Sequence, residues 1–289
     1  MRLDNLRKYE QNLDKIPGWC RWNTLRKVYN NIYRIQANIP GDILEIGVYC
    51  GKSLIPLAAM TKDSELCIGV DLFSPDLYFD GDAFVPNLMD EHYPYEYNNI
   101  KVKEQLQSLL SEADQELVNN ATCRSTIYMK NVEVLIKNMI DKQSTNVKLL
   151  QYDSQAIQCK DILQHSNTKF RIISIDGCHN YDCVLHDLRL ANQMLTDQGI
   201  LIIDDYGADI FNLWPGVRMA VDTFLNQHYY QPMVVAGNKL FLCRSGAIST
   251  YKRLYKLSYP PHDSMDIKFL IDRHKIAKMW KNVKRVVDL

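Results

Sequence analysis

Several features that would classify a chain early are missing from these 289 residues. There is no net charge, because Lys+Arg and Asp+Glu both number 34. A balanced chain has no general pull toward nucleic acid or an anionic membrane surface, so no nucleic-acid partner is expected. No apolar run approaches the ~20 residues that cross a bilayer, so no membrane span is expected. The start, Met1 to Lys8, is charged and lacks the apolar stretch of a secretory signal. Eight cysteines form no CxxC pair, and Cys67 and Cys243 sit inside apolar, strand-like runs. They read as buried, reduced thiols of a cytoplasmic chain rather than as zinc ligands or a disulfide framework. No internal repeat or low-complexity tract is found. What is present is 46% hydrophobic residues, enough to core one α/β domain with additions, or two small domains.

The order of patterns is informative. Over residues 1–40, Leu25, Val28, Ile32 and Ile35 recur at helical steps and predict an N-terminal helical cap. Ile16-Pro17-Gly18-Trp19 breaks it. The cap packs on the sheet or closes over a ligand, with Trp19 a candidate pocket edge. From Gly41 to about residue 245 apolar strands alternate with helical stretches: strands at 43–46, 66–70, 147–152, 170–175 and 200–203, with a turn at Gln198-Gly199 before the last. Continuous apolar strands between helices predict a parallel sheet covered on both faces. Met233–Ala236 and Leu240–Cys243 flank Gly237-Asn238, a hairpin signal. The expected fold is α/β, a doubly wound, mostly parallel Rossmann-like sheet closed by a C-terminal antiparallel hairpin. Residues 74–124 break the alternation and read as an inserted lid, or else as a surface excursion or oligomer contact. The tail, 246–289, carries Ile276, Trp280, Val283 and Val287 on one helical stripe among lysines. It suits packing on the domain or across a dimer, or else a membrane-surface or partner helix, and a homo-oligomer is expected.

The central stretch is Asp42-Ile43-Leu44-Glu45-Ile46-Gly47-Val48-Tyr49-Cys50-Gly51-Lys52-Ser53, a strand, a glycine turn and a helix start. Gly51-Lys52-Ser53 ends like a phosphate loop. Such a loop needs glycine five residues before Gly51, and Ile46 stands there. A GxGxxG dinucleotide fingerprint is absent as well. The turn therefore suits a cofactor without phosphates beside it. Asp71 ends the second strand, 26 residues after Glu45, where an acid meets ribose hydroxyls in dinucleotide-type folds. It also reads as a simple turn aspartate.

Glu45-x-Gly47-x-x-x-Gly51 resembles motif I of class I S-adenosylmethionine-dependent methyltransferases. The second stretch, Ile175-Asp176-Gly177-Cys178-His179-Asn180-Tyr181 with Asp187-Leu188, Gly199, Asp204-Asp205-Tyr206 and Trp214-x-Gly216-Val217, resembles the macrocin-type O-methyltransferases. These act on sugars or other hydroxylated natural products. The resemblance covers roughly residues 16–245 and omits the 74–124 insertion and the tail. It implies S-adenosylmethionine bound by Glu45, Gly47, Gly51, Ser53, Asp71 and Asp176, with Asp153-Ser154 near the adenine. It implies magnesium, or another divalent cation, on Asp176, Asp204 and Asp205. Relatives often carry an acid before the histidine, where this chain has Cys178.

Elementary electrostatics points the same way. Acids at two strand ends crowd together, and a hard cation relieves their repulsion. Asp204 or Asp205 can instead cap the next turn. His179, three residues after Asp176, is a candidate general base, or merely shapes the turn. With Asp176 it is the candidate catalytic pair. Tyr181, Tyr206 and Trp214 join Trp19 as candidate walls of the acceptor pocket. The expected reaction is metal-assisted methyl transfer to a hydroxyl of a sugar or glycosylated metabolite. A catechol or phenol acceptor, and a non-catalytic cofactor-binding protein, are the alternatives.

Overall fold

A computed structural model describes residues 4–74, 106–119, 124–140, 146–206 and 214–255. Most of the inserted segment over 74–124, and the basic stripe of the tail, lie outside the described residues. Among those described, no helix is long and apolar enough to cross a membrane.

The N-terminal cap is a short helix α1 (Arg7–Gln11) followed by α2 (Trp22–Ile35). Trp22, Leu25, Val28, Tyr29 and Ile32 make the buried stripe of α2, at the spacing that places side chains on one helix face. The core domain then runs β1 (Asp42–Ile46), α3 (Leu54–Ala59), β2 (Cys67–Asp71), α4 (Glu112–Asn119), α5 (Arg124–Met139), β3 (Val147–Gln151), α6 (Cys159–Leu163), β4 (Phe170–Ile175), α7 (Tyr181–Met194), β5 (Leu195–Ile203), α8 (Pro215–Gln227), β6 (Tyr230–Ala236) and β7 (Lys239–Arg244). A last turn of helix, α9, spans Lys252–Tyr255.

The sheet has the order β3-β2-β1-β4-β5-β7-β6. Five strands are parallel, and β7 runs antiparallel to both β5 and β6. The chain starts in the middle, winds to one edge, and returns to lay β4 beside β1. That reversal opens a crevice at the carboxyl ends of β1 and β4, where ligands of such sheets bind. Every position of β1, β2 and β4 is buried, because helices cover both faces. On one face α2, α3 and α5 pack on Ile43, Ile172, Ile200, Ile202 and Phe241. On the other, α7 and α8 pack on Leu44, Ile46, Ile173, Ile175 and Leu201.

The mostly parallel, doubly wound sheet and its antiparallel hairpin match the sequence expectation. One local feature differs. The expected turn at Gln198-Gly199 is absorbed into β5, whose register against β4 jumps from Phe170↔Leu195 to Ile172↔Ile200. Gly199 sits in that irregular stretch.

A buried polar knot ties the opposite end of the sheet. Arg171 on β4 is 1% exposed and its Nη2 donates to Glu65 Oε2 at 2.7 Å and to the Met60 carbonyl at 2.7 Å. Its Nη1 donates to Gln36 Oε1 at 2.7 Å, beyond the end of α2. Gln36 Nε2 in turn donates to the Tyr251 hydroxyl, so one guanidinium links cap, sheet and C-terminal turn. Burial pushes Glu65 up, but Arg171 and Lys62 outweigh it and hold the carboxyl below its ordinary range. Removing one member of a buried pair strands the other. Arg171→Met is expected to lower unfolding stability by about 3 kcal/mol in urea titration, the low end of such losses because Lys62 still touches Glu65. Adding Glu65→Leu is expected to recover most of it.

Candidate active site

The loop after β1 is shaped by its backbone. Gly47 has φ +86, a region side chains rarely adopt. A Cβ there would lie 2.1 Å from the Asp176 carbonyl oxygen. The nearest reason for glycine is thus the turn leaving β4, which backs directly onto this loop. Tyr49 also has positive φ, +47, as does Gly51, +79. With those angles the N–H groups of Val48 and Tyr49 converge, and Asp71 Oδ2 accepts both, at 2.7 and 2.9 Å. Asp71 Oδ1 accepts the Phe73 N–H at 2.9 Å. Converging amides make an anion-binding nest, and here the chain's own carboxylate fills it. Asp71 is thereby the brace of the loop, a role its position at the end of β2 did not disclose.

Glu45 is fully buried on β1, and neither carboxyl oxygen has a hydrogen-bond partner. Burial pushes it up to about 7, against the pull of the Lys239 ammonium and the nearby Ser53 and Ser174 hydroxyls. Those hydroxyls stand close without meeting hydrogen-bond geometry. Tyr29 from α2 closes the same buried pocket, its hydroxyl likewise without a partner.

At the ends of β4 and β5 the acids divide into two groups. Asp176, His179 and Asp205 bring one ligand atom each within 4.8 Å of one another. His179 Nε2 lies 2.7 Å from Asp205 Oδ2. The direction of approach is not that of a hydrogen bond, so Nε2 is shielded yet unsatisfied. The imidazole stacks on Trp214, centroids 4.4 Å apart. Asp205 has φ +52 and donates its N–H to Asp204 Oδ1 at 2.8 Å, which turns its own carboxylate toward His179. Asp204 lies outside that set, beside Asp176 and in short contact with Lys239 Nζ. Lys239 is 2% exposed and also reaches Asp176 Oδ2, at 3.4 Å.

The directions of titration follow. Burial raises Asp176, and the neighbouring Asp204 raises it further. Burial would also raise Asp204, but Lys239 wins and holds it low. Burial would lower Lys239, and Asp204 and Asp176 outweigh that and hold it charged.

A family model described as a methyltransferase domain matches residues 44–206, more than half of the chain. The chain belongs to this methyltransferase-domain family. The matched span contains the glycine loop, Asp71, Asp176, His179, Asp204 and Asp205. Solved structures with a similar fold include the O-methyltransferase NovP, 18% identical, covering 75% of this chain and 79% of that one with a TM-score of 0.46. CalS11, a TDP-rhamnose 3'-O-methyltransferase, is 16% identical over 84% of this chain and 94% of that one, TM-score 0.44. An O-methyltransferase from Bacillus cereus is 15% identical over 81% of this chain and 89% of that one, TM-score 0.44. No curated protein matches the chain significantly.

Within this methyltransferase domain the expected residues separate. Glu45, Gly47, Gly51, Ser53 and Asp71 cluster at the loop, although Ser53 and Glu45 face the buried pocket beneath it. At the end of β3, Asp153 accepts the Gln155 N–H at 2.9 Å, and Ser154 Oγ accepts from Gln155 Nε2 at 3.1 Å. Gln155 Nε2 also reaches Asp187 Oδ1, at 3.1 Å. Of the four pocket aromatics only Trp214 stands at the acidic centre. Tyr206 is 1% exposed and packs in the core. Tyr181 points its hydroxyl to Thr223 Oγ1 at 3.3 Å, tying α7 to α8. Trp19 is 56% exposed, while its neighbour Gly18 packs on Tyr49 of the loop.

Two residues at the centre had no role assigned from sequence. Lys239 and Asn238, whose Nδ2 lies 3.4 Å from Asp205 Oδ1, come from the β6–β7 hairpin. Asp187, part of the quoted motif, is fully buried on α7 beside Gln155, with burial pushing it up to about 6. The Gly237-Asn238 turn signal marked the hairpin, but nothing marked its lysine as buried.

Glu45 makes the site's chemistry visible in stability. Its folded pKa lies above the unfolded value, so its contribution is full below about pH 4 and is lost as pH rises through about 7. Glu45→Gln lacks that loss. The stability of the variant relative to the native chain is expected to rise by about 3 kcal/mol between pH 4 and pH 8, measured by urea unfolding.

Proposed function

We propose that the chain is an S-adenosylmethionine-dependent O-methyltransferase acting on a hydroxyl of a sugar or glycosylated metabolite. The observation that carries this is the contact between the two halves of the site. The Gly47 loop backs onto the Asp176 turn with no room for a single carbon, so donor loop and acidic centre share one wall. The filled nest under Val48 and Tyr49 supports a cofactor with no phosphate at that point. Family membership supports methyl transfer. The sugar rests on the resemblance of the Asp176–Tyr181 and Asp204–Tyr206 stretches to macrocin-type enzymes.

Bound S-adenosylmethionine supplies a sulfonium methyl group. The Gly47–Gly51 loop, braced by Asp71, would hold it, and its methyl group would pass to the acceptor oxygen with loss of the hydroxyl proton. The protein's task is to position the two and take the proton. His179 is stacked on the Trp214 ring, with its Nε2 2.7 Å from Asp205 Oδ2, and its imidazole takes the proton. Asp176 and Asp205 stabilise the imidazolium that results.

Two carboxylates and an imidazole within 4.8 Å also fit a divalent cation. Asp176, Asp205 and His179 would hold it. A cation there lowers the pKa of a bound hydroxyl. An all-oxygen set suits magnesium, and the imidazole moves the preference toward manganese or zinc. A reading without a divalent ion is favoured by one observation, the ammonium of Lys239 already among the acids.

An acceptor screen with labelled methyl donor tests the proposal, sugars against catechols, with and without chelator. Transfer to sugar hydroxyls is expected, and His179→Ala is expected to lower kcat by about 100-fold or more. Transfer to catechols alone would move the acceptor class. Cofactor binding without transfer to any hydroxyl would leave only a binding protein.

A further inference from the structure

We propose that Lys239 is a built-in cation of the acidic centre: its ammonium holds Asp176 and Asp204 together, so that Asp204 is a structural counter-ion and the working groups are Asp176, His179 and Asp205. This rests on the methyltransferase reading for its use but not for its geometry. Lys239 opens β7, one step before Leu240, which pairs with Ile203. The register therefore sets the lysine opposite Asp204. Alternation turns its side chain to the same face as Phe241, where the N-terminal cap lies. There the side chain is 2% exposed and its Nζ contacts Oδ2 of both Asp204 and Asp176.

A metal ion bridging those two oxygens would sit beside an ammonium at about the separation of a contact pair. Like charges that close repel strongly in a buried setting. The Asp176–Asp204 edge is thus taken, whereas the edge between Asp176, His179 and Asp205 is the one where ligand atoms gather within 4.8 Å. The hairpin adds a second tie, Asn238 Nδ2 to Asp205 Oδ1 at 3.4 Å, so one turn positions both groups of acids. The Arg21 side chain backs that turn: a Cβ at Gly237 would lie 3.1 Å from Arg21 Cβ. The cap therefore supports the lysine as well as covering it.

The test is Mn²⁺ binding to the whole protein, followed by calorimetry and electron paramagnetic resonance rather than by turnover. Removing Asp204 and Lys239 together keeps the buried charge balanced. The Asp204→Asn, Lys239→Gln double variant is expected to bind Mn²⁺ within about threefold of the native chain, whereas His179→Ala or Asp205→Asn weakens it about tenfold or more. Lys239→Gln alone is expected to gain, either a second Mn²⁺ or about tenfold tighter binding of the first. A tenfold loss in the double variant with little loss in His179→Ala would make Asp204 a ligand and overturn the proposal. If the native chain binds no Mn²⁺, the divalent-ion reading above fails by itself. The lysine proposal then requires Lys239→Gln to acquire binding that the native chain lacks, and no gain overturns it. Circular dichroism precedes each titration. Should Lys239→Gln not fold, Lys239→Arg takes its place: with the charge kept, no gain is expected, and a gain overturns the proposal.

Discussion

The Lys239 ammonium is the interaction on which this architecture depends. Asp176 and Asp204 end adjacent strands, and Glu45 lies buried one strand further along the same face. Three carboxyl groups in a shielded place cannot all be ionised without a nearby positive charge. Lys239 supplies it from the antiparallel hairpin, which is why the hairpin belongs to the site and is more than a closing edge. The consequences are unequal. Asp204, in direct contact, stays ionised. Asp176, further off, is pushed up by burial and by its neighbour. Glu45, beyond contact, is pushed up to about 7.

The N-terminal cap has its meaning in the same terms. Glu45, Ser174 and Lys239 occur at alternate positions of their strands, on the face that α2 covers. Tyr29 of α2 reaches the same pocket, and Tyr29 packs edge-on against Phe241, two residues from Lys239. Excluding water there strengthens the ion pair and makes each unpaired oxygen more costly. A bare parallel sheet would leave these groups hydrated and the acids less sharply divided. The loop after β1 shows the same economy of groups, since Asp71 satisfies amides that would otherwise need an outside anion.

The strands were legible because a buried parallel strand is a run of apolar residues, and their acids were legible because they follow such runs immediately. The parallel, doubly wound class came with that pattern, as did the position of the glycine turn. Roles of individual side chains were less accessible. Asp204 and Asp205 are adjacent, yet the positive φ of Asp205 sends them to different partners. No local pattern announces that angle in an aspartate. Tyr206 follows them into the core for the same reason, and Tyr181 opens a helix whose rotation is set by α8. Lys239 reads as an ordinary turn lysine until the pairing of Leu240 with Ile203 is known. Such registers join residues far apart in the chain, and a single sequence carries little of that information.

Charge also bears on transfer from the proposed donor. Among the described residues, Glu45, Asp176, Asp204 and Asp205 stand around the crevice with the Lys239 ammonium and the His179 imidazole. Lys239 cancels one carboxylate, and at least part of the remaining negative potential is left. A sulfonium donor is itself a cation, and its charge disappears as the methyl leaves. A strongly negative wall would stabilise the donor before transfer more than after it, which slows the reaction. In the proposed reaction, a resident lysine that trims this excess while leaving Asp176 and Asp205 beside His179 keeps negative charge next to the imidazole that takes the proton and reduces it where positive charge is lost.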